Sequence, residues 1–138
     1  MKFPEQYIKY GDFLLHSRQH SDIFYDANAM LTNTLYLTYF VQNIPWANHY
    51  VGIATFGEAI VTGLKMENPS REISVIKDGE LKGRKPEGPW ILIDDVVTTG
   101  RSLLEAIALI GSQPSQIIVV VDRRERNENP KVRAIFEL

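Results

Sequence analysis

Short apolar runs alternate with longer segments of helical periodicity over most of the chain. Trp90–Ile93 is an uninterrupted apolar run after a proline, which predicts a strand buried on both faces. From Leu103 to Ile110 the apolar residues recur at helical spacing, which predicts a helix. The same patterns predict strands at 50–54, 73–76, 90–93, 116–121 and 132–137, and helices at 30–43, 57–66 and 101–111. This alternation is typical of an α/β fold with a parallel sheet flanked by helices.

The first 29 residues have a different pattern. A proline and a later glycine delimit a predicted short helix at 4–10, and a predicted strand at 12–15 is followed by polar residues. Apolar residues return at 23–25, so we expect a hairpin. We expect segment 1–29 to form a small hairpin hood over the sheet.

Composition limits the classes of protein that fit. A chain of 138 residues that is 44% hydrophobic can bury one core, so we expect a single domain over 1–138. A net charge of −2 without a long basic run argues against nucleic-acid binding. There is no cysteine for a disulfide or a thiolate metal site. We find no signal peptide and no apolar run of membrane-spanning length, which predicts a cytoplasmic protein with no membrane contact.

Polar segments follow the predicted parallel strands at their carboxyl ends. Such ends meet at one edge of the sheet, where open α/β sheets bind ligands. We therefore expect one crevice that is shared by four segments: Thr55–Glu58, the loop 77–89, Asp94–Arg101 and Asp122–Arg123.

The segment after the 90–93 strand carries the strongest chemical signal. Asp94 and Asp95 precede Thr98, Thr99 and Gly100, and a helix is predicted to begin directly afterwards. Hydroxyls and main-chain N–H groups at a helix start can hold a phosphate. Carboxylates beside a phosphate require ligand hydroxyls or a divalent cation between them, so a sugar phosphate with Mg²⁺ suits the segment. The simpler interpretation is helix capping, for which one such residue suffices.

Three further segments have weaker signals. Gly52–Gly57 could hold a second anion at a helix start, although any tight turn uses glycine. Asp122–Arg126 could offer an arginine fork to a carboxylate, although surface charges often only pair with each other. Lys77–Lys85 is rich in glycine and cations, as a mobile lid over a polyphosphate would be.

The stretch Ile91–Leu103 resembles, without a gap, the phosphoribosyl pyrophosphate (PRPP) motif of type I phosphoribosyltransferases. Two other stretches resemble the orotate enzymes of that family: Lys9–Ser17 with Ser21 and Phe24–Asp26, and Val119–Arg126. The resemblance covers most of the chain. It implies the type I phosphoribosyltransferase fold and the conversion of PRPP and orotate into orotidine 5′-phosphate and pyrophosphate with Mg²⁺.

The resemblance also implies roles for residues in the phosphate half of the crevice. Asp94 and Asp95 hold the ribose hydroxyls, directly or through Mg²⁺-bound water. Further contacts are implied for two groups: the 5′-phosphate with Thr98, Thr99, Gly100, Arg101 and Ser102, and the pyrophosphate with Thr55, Phe56 and Gly57.

In the base half, Phe24 and Tyr25 are candidates for stacking on the pyrimidine, and Arg123 occupies the position that contacts orotate. Ordinary core packing is the alternative for the two aromatic residues. His16 stands where the family usually has a lysine that contacts base or PRPP. Many orotate enzymes also have a lysine at the position of Phe56.

The 77–89 loop departs most from the family pattern. Family members have a longer loop whose lysines and histidine reach the transferred group across a dimer interface, which implies a homodimer. Here there is no histidine in the loop, and Lys77 and Lys82 are the catalytic candidates, with Arg84 and Lys85 as other possible substitutes.

Three alternatives remain open at this stage. A PRPP-binding regulator would keep the fold without catalysis. A phosphoribosyltransferase for another base, such as uracil or a purine, would keep the reaction. A phosphoacceptor domain of the receiver type also has an acid pair at a strand end, but that pair follows its first strand.

Overall fold

A computed structural model describes residues 1–15 and 17–138. After a single 3₁₀ turn at Glu5–Tyr7, the elements follow in this order: β1 (Ile8–Leu14), β2 (His20–Tyr25), α1 (Ala27–Met30), α2 (Thr34–Gln42), β3 (His49–Ile53), α3 (Phe56–Glu67), β4 (Glu72–Lys77), β5 (Glu80–Lys82), β6 (Trp90–Val97), α4 (Arg101–Ile110), β7 (Gln116–Asp122) and β8 (Arg133–Ala134). No helix in the described part of the chain has the length and apolarity needed to cross a bilayer.

Six strands form one sheet in the order β5-β4-β3-β6-β7-β8. All neighbours pair in parallel except β5, which is antiparallel to β4. Strands β1 and β2 form a separate antiparallel hairpin. The predicted parallel sheet with flanking helices and an N-terminal hairpin is therefore confirmed.

Strand β6 lies in the middle of the sheet, and its first four residues are at most 1% exposed. Because side chains alternate along a strand, Ile91 and Ile93 pack in one apolar layer with α3, and Leu92 packs in the other with α4. Each fully buried side chain of this size stabilises the fold by about 1.5–3 kcal/mol. β6 continues to Val97, beyond the predicted strand at 90–93, so Asp94 and Asp95 lie within the strand and directly follow residues that are fixed by packing on both faces.

The predicted helix at 4–10 is wrong beyond one turn. Strand β1 already begins at Ile8, which pairs with Tyr25 of β2. Pairing with the second hairpin strand outweighs the local helical pattern in this segment.

The predicted helix at 30–43 begins later, at Thr34 as α2, and a separate short helix α1 precedes it and ends at Met30. The Asp26 carboxylate accepts a hydrogen bond from the N–H of Ala29 (3.1 Å) and starts α1. The Asn33 side chain accepts one from the N–H of Leu35 (3.0 Å) and starts α2. Two caps of this kind begin two separate helices.

The segment 77–89, predicted as a loop, contains strand β5. Asp78 and Gly79 both have positive φ (52° and 73°), as a tight hairpin turn requires, and they lead from β4 into β5. At the other end of the chain, the predicted strand at 132–137 is reduced to the short β8 (Arg133–Ala134).

Candidate functional site

A cavity of about 470 Å³ lies at the carboxyl edge of the sheet. Three parts of the chain contribute to it: the β3–α3 connection, the β6–α4 connection and the N-terminal region. The predicted residues that line it are Asp94, Asp95, Thr98, Thr99, Gly100, Arg101, Ser102, Thr55 and Phe56.

The β6–α4 turn is shaped by Gly100. Its φ of 84° lies in the left-handed region, and it is the N-terminal cap residue of α4 without a side-chain cap bond. Thr99 Oγ1 accepts a hydrogen bond from the N–H of Arg101 (3.3 Å). Capping therefore involves Thr99 alone, and the carboxylates of Asp94 and Asp95 make no cap bond to the described part of α4. Other N–H groups of the first helical turn lack helical partners by geometry and are suited to an anion.

The two carboxylates differ in environment. Asp94 is 7% exposed, whereas Asp95 is half-buried and accepts a hydrogen bond from the N–H of Val96 (2.7 Å). Burial, together with the negative charge of Asp95, raises the pKa of Asp94 well above its usual value. The ionised form of Asp94 is therefore disfavoured in the free site. Ligand hydroxyls or a cation would stabilise its ionised form.

The β3–α3 turn depends on close contact between main chains. A Cβ atom added to Gly52 would lie 2.2 Å from the carbonyl oxygen of Gly57, and one added to Gly57 would lie 2.6 Å from that of Ile93. Gly57 is buried at this contact and is absent from the described lining of the cavity. The Ala54–Thr55 peptide bond is cis. The start of α3 is therefore held against β3 and β6.

Phe56 lines the cavity, but its side chain is 3% exposed and packs edge-on against Phe40, with ring centroids 5.6 Å apart. Any contact with an anion would have to come from its main-chain N–H group. The structure thus explains why this position carries no cation, since the side chain belongs to the core.

A second cavity of about 100 Å³ adjoins the first. Phe24, Tyr25 and Arg123 line it, and it shares Asp95 and Thr98 with the larger cavity. The three residues predicted to contact the base are therefore brought together, next to the predicted phosphate residues.

The base-side residues are also packed against their surroundings. Phe24 stacks on Phe13 with centroids 5.5 Å apart, and Tyr25 meets Phe3 edge-on at 5.3 Å. The Arg123 guanidinium lies 5.0 Å from the centroid of the Tyr25 ring. Tyr25 therefore combines packing against the core with cavity lining, whereas Phe24 is 36% exposed and packs on Phe13 of the hairpin.

Arg123 connects the hairpin to the sheet. Its Nη2 donates a hydrogen bond to Ser21 Oγ (3.0 Å), and its Nη1 donates one to the carbonyl oxygen of Ile23 (3.3 Å). Its main-chain N–H bonds to the carbonyl oxygen of Val97 at the end of β6 (2.9 Å). One residue thus holds the hairpin over the edge of the sheet.

Arg124 supports the phosphate turn from behind. It donates from Nε and Nη2 to the two carboxylate oxygens of Asp122 (2.9 and 3.0 Å), and both side chains are about 10% exposed or less. Its Nη1 donates to the carbonyl oxygen of Glu128 (2.8 Å). A Cβ added to Gly100 would lie 3.2 Å from this Nη1 and 3.2 Å from Pro130 Cδ. The loop after β7 therefore packs directly against the phosphate turn.

Lys77 and Lys82 are not among the described residues that line either cavity. Lys77 lies 3.7 Å from a Glu58 carboxylate oxygen, and Lys82 lies 2.7 Å from one of Glu80. The β4–β5 hairpin holds both lysines at the edge of the sheet, so within one chain they have no described contact with the site. His16 lies outside the described residues.

Sequence analysis missed three residues that line the larger cavity: Ser17, Arg18 and Asn28. Ser17 and Arg18 belong to the polar stretch between the hairpin strands, and Asn28 lies in α1. The available signal was a cation in a segment already expected to cover the crevice. Nothing in the sequence pattern shows which of its polar residues turn inward.

Sequence comparisons match the chain to orotate phosphoribosyltransferases. The chain is 32% identical to the orotate phosphoribosyltransferase of Methanopyrus kandleri over 142 residues, which cover 88% of this chain and 74% of that protein. It is 30% identical to that of Pyrococcus furiosus over 144 residues, which cover 91% and 79% of the two chains.

A crystal structure of orotate phosphoribosyltransferase from Aeropyrum pernix superposes with a TM-score of 0.75 at 21% identity, and covers 96% of this chain and 89% of that one. No model of a known protein family matches the chain. The identity over most of both sequences and the shared fold show that the chain belongs to the orotate phosphoribosyltransferases, within the type I phosphoribosyltransferases.

Proposed function

We propose that the protein transfers the phosphoribosyl group of PRPP to orotate, which yields orotidine 5′-phosphate and pyrophosphate. One observation carries the proposal. The cavity lined by the acid pair and the Thr-Thr-Gly turn opens directly beside the cavity lined by two aromatic rings and an arginine, and both share Asp95 and Thr98. A sugar phosphate in the first cavity and a planar anionic base in the second would meet at this boundary.

In the phosphate half, Thr98, Thr99, Gly100, Arg101 and Ser102 would bind the 5′-phosphate through hydroxyls, N–H groups and one guanidinium. Asp94 and Asp95 would accept hydrogen bonds from the ribose hydroxyls. At the β3–α3 turn, Thr55 and Phe56 would offer main-chain N–H groups to the pyrophosphate, and Gly57, which is buried outside the cavity lining, would shape the turn.

The same carboxylates fit a magnesium ion. Mg²⁺ prefers oxygen ligands and is commonly held by one or two carboxylates, waters and substrate phosphates. The described residues contain no cluster of three His, Cys, Asp or Glu side chains that could hold a metal alone. Asp94 and Asp95 would hold Mg²⁺ through water. The cation would offset the negative charge of the two carboxylates, which favours the ionised form of Asp94, and would supply charge neutralisation for the pyrophosphate.

In the base half, Phe24 and Tyr25 would stack on the pyrimidine, and Arg123 would bind the orotate carboxylate. A guanidinium has five N–H donors, and the hairpin engages two of them, so donors remain for a ligand. In the reaction the bond from the anomeric carbon to pyrophosphate breaks and a bond to a ring nitrogen forms. The electron pair leaves with pyrophosphate, and the nitrogen's proton passes to solvent. Positioning and charge neutralisation would supply most of the rate enhancement.

We also propose a domain organisation, a location and an oligomeric state for the protein. The chain would form one domain over 1–138, with 1–29 as its hood, and would act in the cytoplasm. A homodimer would give Lys77 and Lys82 a route to the site of the partner, because they lie away from the site of their own chain. The part of His16 stays a prediction.

The decisive experiment follows the absorbance of orotate with PRPP and Mg²⁺. We expect its loss as product forms, with one pyrophosphate released per orotate consumed. PRPP binding by calorimetry without turnover would contradict the enzyme proposal. That result would favour a non-catalytic PRPP-binding protein. The absence of Lys77 and Lys82 from the described lining of the cavities would then fit the lack of turnover. Turnover with uracil or adenine in place of orotate would contradict only the choice of base.

A further inference from the structure

The hood side of the larger cavity carries an arginine and a serine without a role so far. Ser17 and Arg18 both line this cavity, opposite the two turns at the sheet edge. We infer that Arg18, assisted by Ser17, binds the pyrophosphate group of PRPP. The inference rests on the proposed function, since it names a contact within the same site.

The charge of the cavity favours this role for Arg18. Two described arginines line the cavity, Arg18 and Arg101, and the Nε of Arg101 lies 2.9 Å from a carboxylate oxygen of Glu105. Within residues 1–15 and 17–138, Arg18 makes no ion pair. Of the two described arginines, Arg18 is therefore the one without an ion-pair partner, in a cavity that also contains two aspartates.

Within one chain, the pyrophosphate is the part of PRPP that still lacks a cationic side chain as a partner. The 5′-phosphate would have the α4 start and the hydroxyls of its turn. At the other turn the Phe56 side chain is in the core, and Lys77 and Lys82 lie near Glu58 and Glu80. Among the described cationic side chains, Arg18 is placed to fill this gap.

Ser17 adds an independent observation. Its Oγ is buried yet has no hydrogen-bond partner among the described residues. Buried hydroxyls almost always have a partner, so an unpaired one at a cavity wall indicates a ligand atom that would complete it. A phosphate oxygen bound by Arg18 would be such an acceptor.

The backbone supports a functional reason for an arginine at position 18. Arg18 has a φ of 65°, in the left-handed region, and its N–H donates to the carbonyl oxygen of Leu15 (2.8 Å) in a tight turn. Glycine or asparagine suits such a position better than arginine. The turn alone therefore does not explain the residue, whereas a contact made by its side chain does.

This backbone conformation also permits a clean test. The variant Arg18→Gly removes the side chain while easing the turn, so its melting temperature should not fall. Calorimetry would measure Mg²⁺–pyrophosphate and, separately, ribose 5-phosphate on the whole chain. We expect Arg18→Gly to weaken pyrophosphate binding about tenfold and to leave ribose 5-phosphate unchanged, since one charge-assisted contact is lost.

Three further variants sharpen the test. Arg18→Lys should keep part of the affinity, and Ser17→Ala should lose about threefold, as expected for one neutral hydrogen bond. Arg133→Gln is the matched control, since it removes an exposed arginine of β8 outside both cavities.

Unchanged pyrophosphate affinity in Arg18→Gly would overturn the inference. An equal loss for ribose 5-phosphate would also overturn it, because the contact would then be with the other phosphate. The proposed function fails separately, if the unmodified protein binds PRPP but does not consume orotate.

Discussion

The two halves of the cleft are assembled in different ways. The phosphate half comes largely from one continuous stretch, Asp94–Ser102, at the end of a strand buried on both faces. The base half brings together residues that are far apart in sequence, such as Ser21 and Arg123, which are 102 positions apart and joined by one hydrogen bond. Core packing thus fixes the first half, and a few side-chain contacts position the second. Substitutions should separate the two.

The largest effect is expected from Asp94→Asn in the phosphate half. Loss of the carboxylate should lower kcat/KM by about 100-fold or more, in the range seen when one electrostatic contact to a transition state is removed. Burial and the charge of Asp95 disfavour the ionised form of Asp94, as its raised pKa indicates. A neutral asparagine avoids this cost, so the unliganded variant should melt at a higher temperature.

Activity assays and thermal melts of the same preparation test both parts of this expectation. Asp22→Asn makes the same change at an exposed hairpin position and should alter neither quantity. Full activity in Asp94→Asn would show that the phosphate half does not depend on this carboxylate.

Gly52→Ala tests whether main-chain packing fixes the phosphate half. The added methyl group would lie 2.2 Å from the Gly57 carbonyl oxygen, so the turn must shift. We expect a loss of about 1–3 kcal/mol in the free energy of unfolding, measured by denaturant titration, together with weaker PRPP binding. Gly63→Ala is the matched control, since nothing lies within 4 Å of its added Cβ in α3, and it should stabilise the protein by about 0.5–1 kcal/mol. Equal stability of the two variants would contradict the packing argument.

Arg123→Ala should affect the base half selectively. It removes both hydrogen bonds to the hairpin and the contact with Tyr25, so the KM for orotate should rise about tenfold or more. PRPP affinity measured without base should fall by a smaller factor than orotate affinity, since the arginine lines only the smaller cavity and acts on the larger one through the hairpin that carries Arg18. Ser21→Ala removes one anchor and should have a smaller effect of the same kind. A matching loss of PRPP affinity would erase the distinction between the halves.

The smallest effect is expected at the amino ends of the strands, on the side of the sheet opposite both halves of the cleft. His49 at the start of β3 is buried, with Nε2 2.8 Å from Ser74 Oγ, which in turn donates to the carbonyl oxygen of Arg84. Burial lowers the pKa of His49, and nearby Arg84 acts in the same direction while Glu72 opposes it.

The unfolded chain therefore binds a proton at higher pH than the folded protein does. Stability from neutral His49 is present above about pH 6.5 and is lost as the pH falls through this value. Thermal melts at about pH 7.5 and about pH 5.5 should differ less in His49→Gln than in the unmodified protein. An identical difference would show that His49 does not contribute.

Local sequence patterns were sufficient for the phosphate half and for most of the sheet. The run Trp90–Ile93 and the polar residues after it determine both the strand and its chemistry, so their prediction needed no distant contact. The elements that differ are those decided by distant pairing or by caps. Strand β1 replaces a predicted helix because it pairs with β2, and the Asn33 cap moves the start of the helix predicted at 30–43 to Thr34.

Side-chain direction in the hood was beyond prediction for a physical reason. Residues 17–22 have no periodicity, so their sequence does not distinguish an arginine that lines the cavity from one in solvent. Arg18 and Asn28 could be placed only once the hairpin was positioned over the sheet by Arg123. Lys77 and Lys82 are not among the described residues that line the cavities. A tight turn makes the segment that carries them a hairpin instead of the predicted loop.

The two adjacent arginines after β7 would link the binding of one ligand to the binding of the other. Arg123 faces the base cavity and holds the hood, while Arg124 packs against Gly100 in the phosphate turn. A shift of this short segment on occupation of one half would be transmitted to the other. Cooperativity between the ligands would then be reciprocal: the factor by which PRPP raises the affinity for the base equals the factor by which the base raises the affinity for PRPP.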